Sequence, residues 1–279
     1  MISILSNVSS LAAQNQLSMT QASLQKTLLQ LSSGTRLNSG ADDAAGLAIA
    51  DGLQANITAL TQSAQNASDG VGSLQVADGA LAQVTALLNR AVTLATEAST
   101  GTVSDAQRTT IDAEFTQIKN EIDSIGSSTN YNGTQVFTAT ATSVYLSDGT
   151  TNGSNSITVT TGALSSAAIG FSGTPVDISG DVLTSAASAQ TALGHLDTAI
   201  ANVAADRGSL GAEINRLQSA ASVITNQVQN LTTAEDNIRA ADIPTVVANM
   251  SRLTVLQQTG MAALQQSNQM QQSVLKLLQ

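Results

Sequence analysis

Three glycines and three aspartates fall within Leu31–Asp51, LSSGTRLNSGADDAAGLAIAD, and both residue types can serve chemistry. A glycine-rich loop cradles phosphate when Lys and then Ser or Thr follow the last glycine. Here Ala41 follows Gly40, and no strand-like run precedes the loop, so a nucleotide pattern is not met. Asp42, Asp43 and Asp51 offer oxygen ligands, but the ligand spacing and distal Glu of an EF-hand are missing. The stretch is expected to be an elbow between two helices, with Gly34 or Gly40 ending the first and Ser39 or Asp42 capping the second.

The rest of the chain offers no better site. His195 is the sole histidine, which excludes HExxH zinc sites, and it is expected to be a partly exposed helix residue. Asp42/Asp43 and Glu235/Asp236 are sequence neighbours and so point to different helix sides, a poor arrangement for general acid and base work. Hydroxyls are abundant, yet no activating base accompanies them. Sequons such as Asn132-Gly133-Thr134 arise by chance in so Ser- and Thr-rich a chain. No catalytic residue, no metal site and no cofactor is expected.

Composition narrows the class further. A net charge of -10 repels nucleic acid and anionic membrane, so neither is an expected partner. No cysteine is present, which excludes disulfides and thiolate metal sites. The start, MISILSNVSSLAAQNQ, lacks a basic leading region and a continuous apolar run, and no stretch reaches about 18 uninterrupted apolar residues. Neither a cleaved signal peptide nor membrane insertion is expected, so if the protein leaves the cell another export route must carry it. With only two Tyr, three Phe and no Trp, burial must come from Leu, Ile, Val and Ala, which suits narrow seams between helices.

Those seams are visible. Leu53, Leu60, Ala67, Leu74, Leu81, Leu88 and Ala95 recur every seven positions, and Ala50, Ile57, Ala64, Val71 and Val92 are read as the partner row. Such a helix would be about 75 Å long. A second seam runs through Leu193, Leu196, Ile200, Val203, Leu210, Ile214, Leu217, Ala221, Ile224, Val228 and Leu231, interrupted by Arg207. Between them, Ser104 and Gln107 form a capping box, and Ile111, Phe115, Ile118, Ile122 and Ile125 a third stripe. The fold expected is mainly α: a long antiparallel helical bundle or coiled coil formed by the N- and C-terminal segments, with a small β-hairpin region in the middle.

Tyr131 to about Asp181 is rich in Thr, Ser and Gly, alternates in SVYLSDG and NSITVTT, and carries an Asn132-Gly133 turn signal. Two or three short hairpins forming a solvated cap are expected there. At the ends, residues 4 to 33 carry Ile4, Val8, Leu11, Leu17, Leu24, Leu28 and Leu31, and residues 245 to 279 carry Val247, Met250, Leu253, Met261, Leu264, Leu275 and Leu278, as weaker candidate stripes. Their filling with Gln, Asn, Ser and Thr predicts weak closure and a need for partners.

These residues carry a resemblance. The chain resembles the bacterial flagellins over about residues 1 to 137 and 190 to 279. The matching stretches are LSSGTRLNSGADDAAGLAIAD, NASDG, LQVADGAL and YNGTQVF at the front, and RGSLGAEINRL, NIRAADI, NMSRLTVLQQTGMAALQQSNQ and VLKLL at the back. Gly40 or Ala41 stands where the family often has Lys, Gln271 where it often has Pro, and Pro244 where it seldom does.

The resemblance implies a structural subunit of the flagellar filament used for swimming motility, extracellular and exported unfolded. The terminal helices, residues 1–42 and 238–279, would form the filament core as one discontinuous domain, through Ile4, Val8, Leu11, Leu17, Leu24, Leu28, Leu31, Met250, Leu253, Met261, Leu264, Leu275 and Leu278. Residues 43–237 would form a spoke domain that includes a short variable β-rich segment, 131–184. Implied partners are further copies of the chain, an export chaperone, the filament cap and hook-filament junction proteins. A host Toll-like receptor is implied through Leu88, Arg90, Leu94 and Glu114, with Asn89 and Thr93 replacing the family's usual Gln and Glu. The alternative is a hook-filament junction adaptor of the same family.

Overall fold

The computed structural model describes residues 8–149 and 155–277, so Ile4 and Leu278 lie outside the described residues. Five helices and four short strands follow in the order α1 (Val8–Ser33), α2 (Ala44–Ser99), α3 (Asp105–Ser128), β1 (Asn130–Tyr131), β2 (Thr134–Gln135), β3 (Thr142–Leu146), β4 (Asn155–Val159), α4 (Ala186–Arg239) and α5 (Ile243–Leu277). The chain divides into two compact units, residues 1–55 with 230–279, and residues 56–229. That division falls inside α2 and α4, and within the first unit the Arg239 guanidinium binds Asp51 and Glu235, tying the start of α2 to the end of α4.

In the first unit α1 and α5 run antiparallel. Ser10 meets Asn268, and Leu17 lies against Gly260. Leu17, Leu24 and Leu31 of α1 are half-buried, alternating with the buried Thr20 and Thr27. Each Thr hydroxyl donates to the carbonyl four residues back, Gln16 and Ser23, so these polar positions are satisfied within their own helix.

The second unit is built on tighter seams. Leu60, Ala67, Leu74, Leu81, Leu88 and Ala95 are buried as their spacing predicts, but the partner row is Ser63, Ala77, Val84, Ala91 and Ala98. Ile57, Ala64, Val71 and Val92 stand one position over and are half-buried. The small residues let helices approach closely, while the branched ones flank the seam. The same correction applies to α4. Leu196, Val203, Leu210, Leu217 and Ile224 are buried with Ala192, Ala199 and Asp206, and Leu193, Ile200, Ile214, Ala221 and Val228 are half-buried. Gly70 leaves room for two neighbours of α2, since a Cβ there would stand 3.2 Å from Leu217 of α4 and 2.9 Å from Val144 of β3. Arg207, expected to interrupt the seam, lies at its edge and pairs with Asp78 at 2.7 Å. By length and composition alone α2 is long and apolar enough to cross a membrane.

The Ser104 to Gln107 capping box opens α3, whose Phe115, Ile118 and Ile122 are buried. Asn132 (φ 49) and Gly133 (φ 77) turn β1 into β2, both in the left-handed region that a two-residue hairpin turn needs. Strands β3 and β4 pair antiparallel from Thr142↔Val159 to Leu146↔Asn155, with Val144, Leu146, Ile157 and Val159 facing inward. Ser63 exchanges two hydrogen bonds with the Ser147 backbone, fastening this hairpin to α2.

The middle segment is more than a solvated cap. Val136, Phe137, Leu164, Ile169, Ile178 and Leu183 are buried, and polar side chains of α3 and α4 hold the loops between them. Asp206 accepts from the Phe171 and Ser172 N–H groups, Asp123 from Ser166, and Asp112 from Leu183, while Lys119 donates to the carbonyls of Ser179 and Asp181. His195 is exposed, with Nδ1 2.9 Å from Asp181.

Candidate assembly surface

The elbow is a backbone clasp. Gly34 (φ 71) ends α1, its N–H donating to Gln30. The next residues then pair with the segment leading into α5: Arg36 N–H donates to Arg239 O at 2.6 Å, and Ala241 N–H to Gly34 O at 3.0 Å. The cap of α2 is Asp43, whose Oδ1 accepts from Gly46 N–H at 2.9 Å, and not Ser39 or Asp42. Asp42 instead closes the turn before it, accepting from the N–H groups of Asn38 and Ser39 and pairing with Lys26 at 2.5 Å. Chiefly through the Lys26 hydrogen bond, and then that of Asn38, its carboxyl is lowered to about 2. With Asp51 on Arg239, each of the three aspartates that might have held a cation has a structural partner.

The α1–α5 hairpin has one apolar seam, in which Leu17, Leu24, Leu31, Met250, Leu253 and Leu264 are half-buried. Outside it large apolar side chains stay exposed, with Val8 69% exposed, Leu11 59%, Leu28 46% and Met261 44%. Sequence reading missed Met19, Leu29, Val255, Leu256 and Met270, all exposed. Leu275 falls in the last turns of α5.

The stretch matched to receptor recognition is divided by burial. Leu88 and Leu94 are buried in the seam and offer no surface, because they occupy or flank its inward row. Arg90 and Glu114 are half-exposed and joined to each other at 2.7 Å, with Asn89 and Thr93 exposed beside them.

Two family models match the chain. The bacterial flagellin N-terminal helical region covers residues 4–142, and the bacterial flagellin C-terminal helical region covers residues 193–278. The chain is 32% identical over 279 residues to the flagellar filament 30.7 kDa core protein of Treponema maltophilum, covering 98% of both chains. It is 33% identical over 288 residues to flagellin FlaB2 of Treponema pallidum, again covering 98% of each. A crystal structure of Bacillus cereus flagellin aligns with a TM-score of 0.48 and 28% identity, covering 61% of this chain and 94% of that one.

Proposed function

The chain belongs to the bacterial flagellin family, and on that premise we propose that it is the structural subunit of a flagellar filament that serves swimming motility. The observation that carries this reading is the set of large apolar side chains that the α1–α5 hairpin leaves exposed. Val8, Leu11, Leu28 and Met261 are each 44% or more exposed, and association is the ordinary way to bury such surface. A contact between different faces of successive copies does not close on itself and so propagates as a helical polymer. In this reading Leu17, Leu24, Leu31, Met250, Leu253 and Leu264 close each hairpin, and the exposed residues join neighbours in a core made of residues 1–42 and 238–279. Residues 43–237 form the surrounding spoke.

The role is structural and not catalytic. The names of the relatives, filament core proteins and flagellins, favour the filament subunit over a junction adaptor. The subunit would act outside the cell, exported unfolded with a chaperone on its C-terminal helix and assembled between junction proteins and a cap. A host Toll-like receptor would meet Arg90 and Glu114, with Leu88 and Leu94 supporting them from beneath.

Seeded polymerisation tests the assignment of the ends. Removing residues 1–35 or 245–279 should leave a helical monomer that no longer sediments with seeds, and growth equal to that of the intact chain would refute it. A receptor reporter assay on dissociated monomer should lose signal with Arg90→Ala; equal signalling would remove the receptor from the proposal and leave the filament in place.

A further inference from the structure

Charge is segregated along this chain. All 20 acidic residues lie between Asp42 and Asp242, together with six of the ten basic ones, whereas residues 1–41 and 243–279 carry Lys26, Arg36, Arg252 and Lys276 and no acidic side chain. Among the basic side chains that the structure describes, all but one are ion-paired or hydrogen-bonded. The exception is Arg252, exposed on α5. Val255 and Leu256, three and four residues further on, share its helix face and are 60% and 47% exposed.

We propose that Arg252 is an intersubunit contact, its guanidinium paired with a carboxylate from residues 42–242 of a second copy while Val255 and Leu256 pack beside it. This rests on the filament reading and names one of its contacts. The argument is one of desolvation. Any partner that covers Val255 and Leu256 also strips water from the arginine between them, and a charge stripped of water without a counter-charge is costly. The hairpin segments supply no carboxylate side chain beyond Asp42 and Asp242, whereas a second copy brings a stretch with 20 acidic and six basic residues. A carboxylate is also the group that a planar guanidinium binds best, through two parallel hydrogen bonds.

The test uses full-length protein and zero-length cross-linking. Filaments are grown from equal parts of light and nitrogen-15 R252K subunits, treated with a carbodiimide, digested and analysed by mass spectrometry. The expected product is an amide between the introduced lysine side chain and an Asp or Glu of residues 42–242 in mixed-isotope pairs, which only contacts between copies produce. The Lys26–Asp42 pair, at 2.5 Å, supplies the intramolecular control. Filaments that yield the Lys26 product and no intermolecular product at position 252 overturn the proposal while leaving the filament reading intact; failure of the parent chain to grow on any seed overturns both.

R252Q provides an independent arm, since it keeps the stem and removes the charge. With its circular dichroism unchanged, its critical concentration for seeded growth should rise about two- to five-fold at low salt and stay raised at high salt, because a pair stripped of water is screened little. A critical concentration equal to the parent's at both salts overturns the proposal.

Discussion

Gly126→Ala sets two opposing effects against each other at one atom. The change favours helix formation by about 1 kcal/mol, since glycine is the poorest residue for a helix interior after proline. Against this, a Cβ at position 126 would stand 1.9 Å from the Leu164 carbonyl oxygen and 2.9 Å from its carbonyl carbon. Neither atom belongs to a flexible side chain, so relief requires backbone to move by about 1 Å or more, an overpacking that costs about 1–3 kcal/mol and more when the obstacle is held. Here it is held on both sides. Thr161 donates to the Val136 carbonyl, and Ser166 N–H donates to the Asp123 carboxylate at 2.6 Å. The Gly126 carbonyl itself accepts from Gln135, so α3 is not free to yield either. The clash wins, and a net loss of about 2 kcal/mol is expected. Gly79→Ala in α2 is the control. An added Cβ there meets nothing within 4 Å, so only the helix term remains, a gain of about 0.5–1 kcal/mol. Urea unfolding followed by circular dichroism should move the two midpoints in opposite directions. A raised midpoint for Gly126→Ala would refute the claim that α3 and the Leu164 loop are in fixed contact.

Asp206→Ala leaves two backbone N–H groups, those of Phe171 and Ser172, without their acceptor, and should cost about 2–4 kcal/mol with faster hydrogen exchange at both amides; unchanged exchange would remove Asp206 as the anchor of that loop. Leu217→Asp puts a charge into a fully buried position of α4 and should lower stability by about 4 kcal/mol or more, read as a lower thermal midpoint. For Asp42, the folded carboxyl lies at about 2, below its ordinary 3.8, so the elbow gains stability that is fully present above the ordinary value and is lost as pH falls through about 2. A carbon-13 carboxyl titration should show that low midpoint and a rise toward 3.8 in Lys26→Met; a wild-type midpoint already at 3.8 would refute the Lys26 pairing.

The parts of this fold that were legible in sequence are those written in period. Seven-residue recurrence of Leu and Ala marked the long helices, Ser104 and Gln107 marked the start of α3, and Asn132-Gly133 marked the hairpin turn, because each depends on neighbours a few residues away. The partner rows were misread because hydropathy ranks Ile57, Val71 and Val92 above Ser63, Ala77 and Ala91, while a close seam selects for small volume. Asp206 was passed over for Arg207 for a related reason. Which of two adjacent charges turns inward is decided by the loop at residues 171 and 172, some thirty-five positions away, whose amides need an acceptor. The cap of α2 slipped from Asp42 to Asp43 because Lys26 and two backbone N–H groups claim Asp42 first. The buried core of the middle segment was invisible for want of length, as its apolar residues are scattered among Ser, Thr and Gly and gain a face only by folding back on α3 and α4.

The two halves of the candidate site also differ in why they were or were not legible. Leu17, Leu24 and Leu31 could be found because they follow the helix repeat, and that same repeat is what closes them against α5. Val255, Leu256 and Met270 of α5 stay exposed, and a pattern that asks which residues a helix buries has no place for side chains the unit leaves exposed. A pair of helices has one mutual seam, so apolar side chains on its other sides remain in water until a third surface arrives. The closed seam of this hairpin is itself diluted by Thr20, Thr27, Gln257 and Gly260, which contribute little apolar area. Closing the hairpin and covering its exposed apolar side chains are thus comparable in kind, and the second can reinforce the first. In the proposed filament a subunit built this way would gain terminal stability from its neighbours, which is the property that a polymer assembled one copy at a time requires.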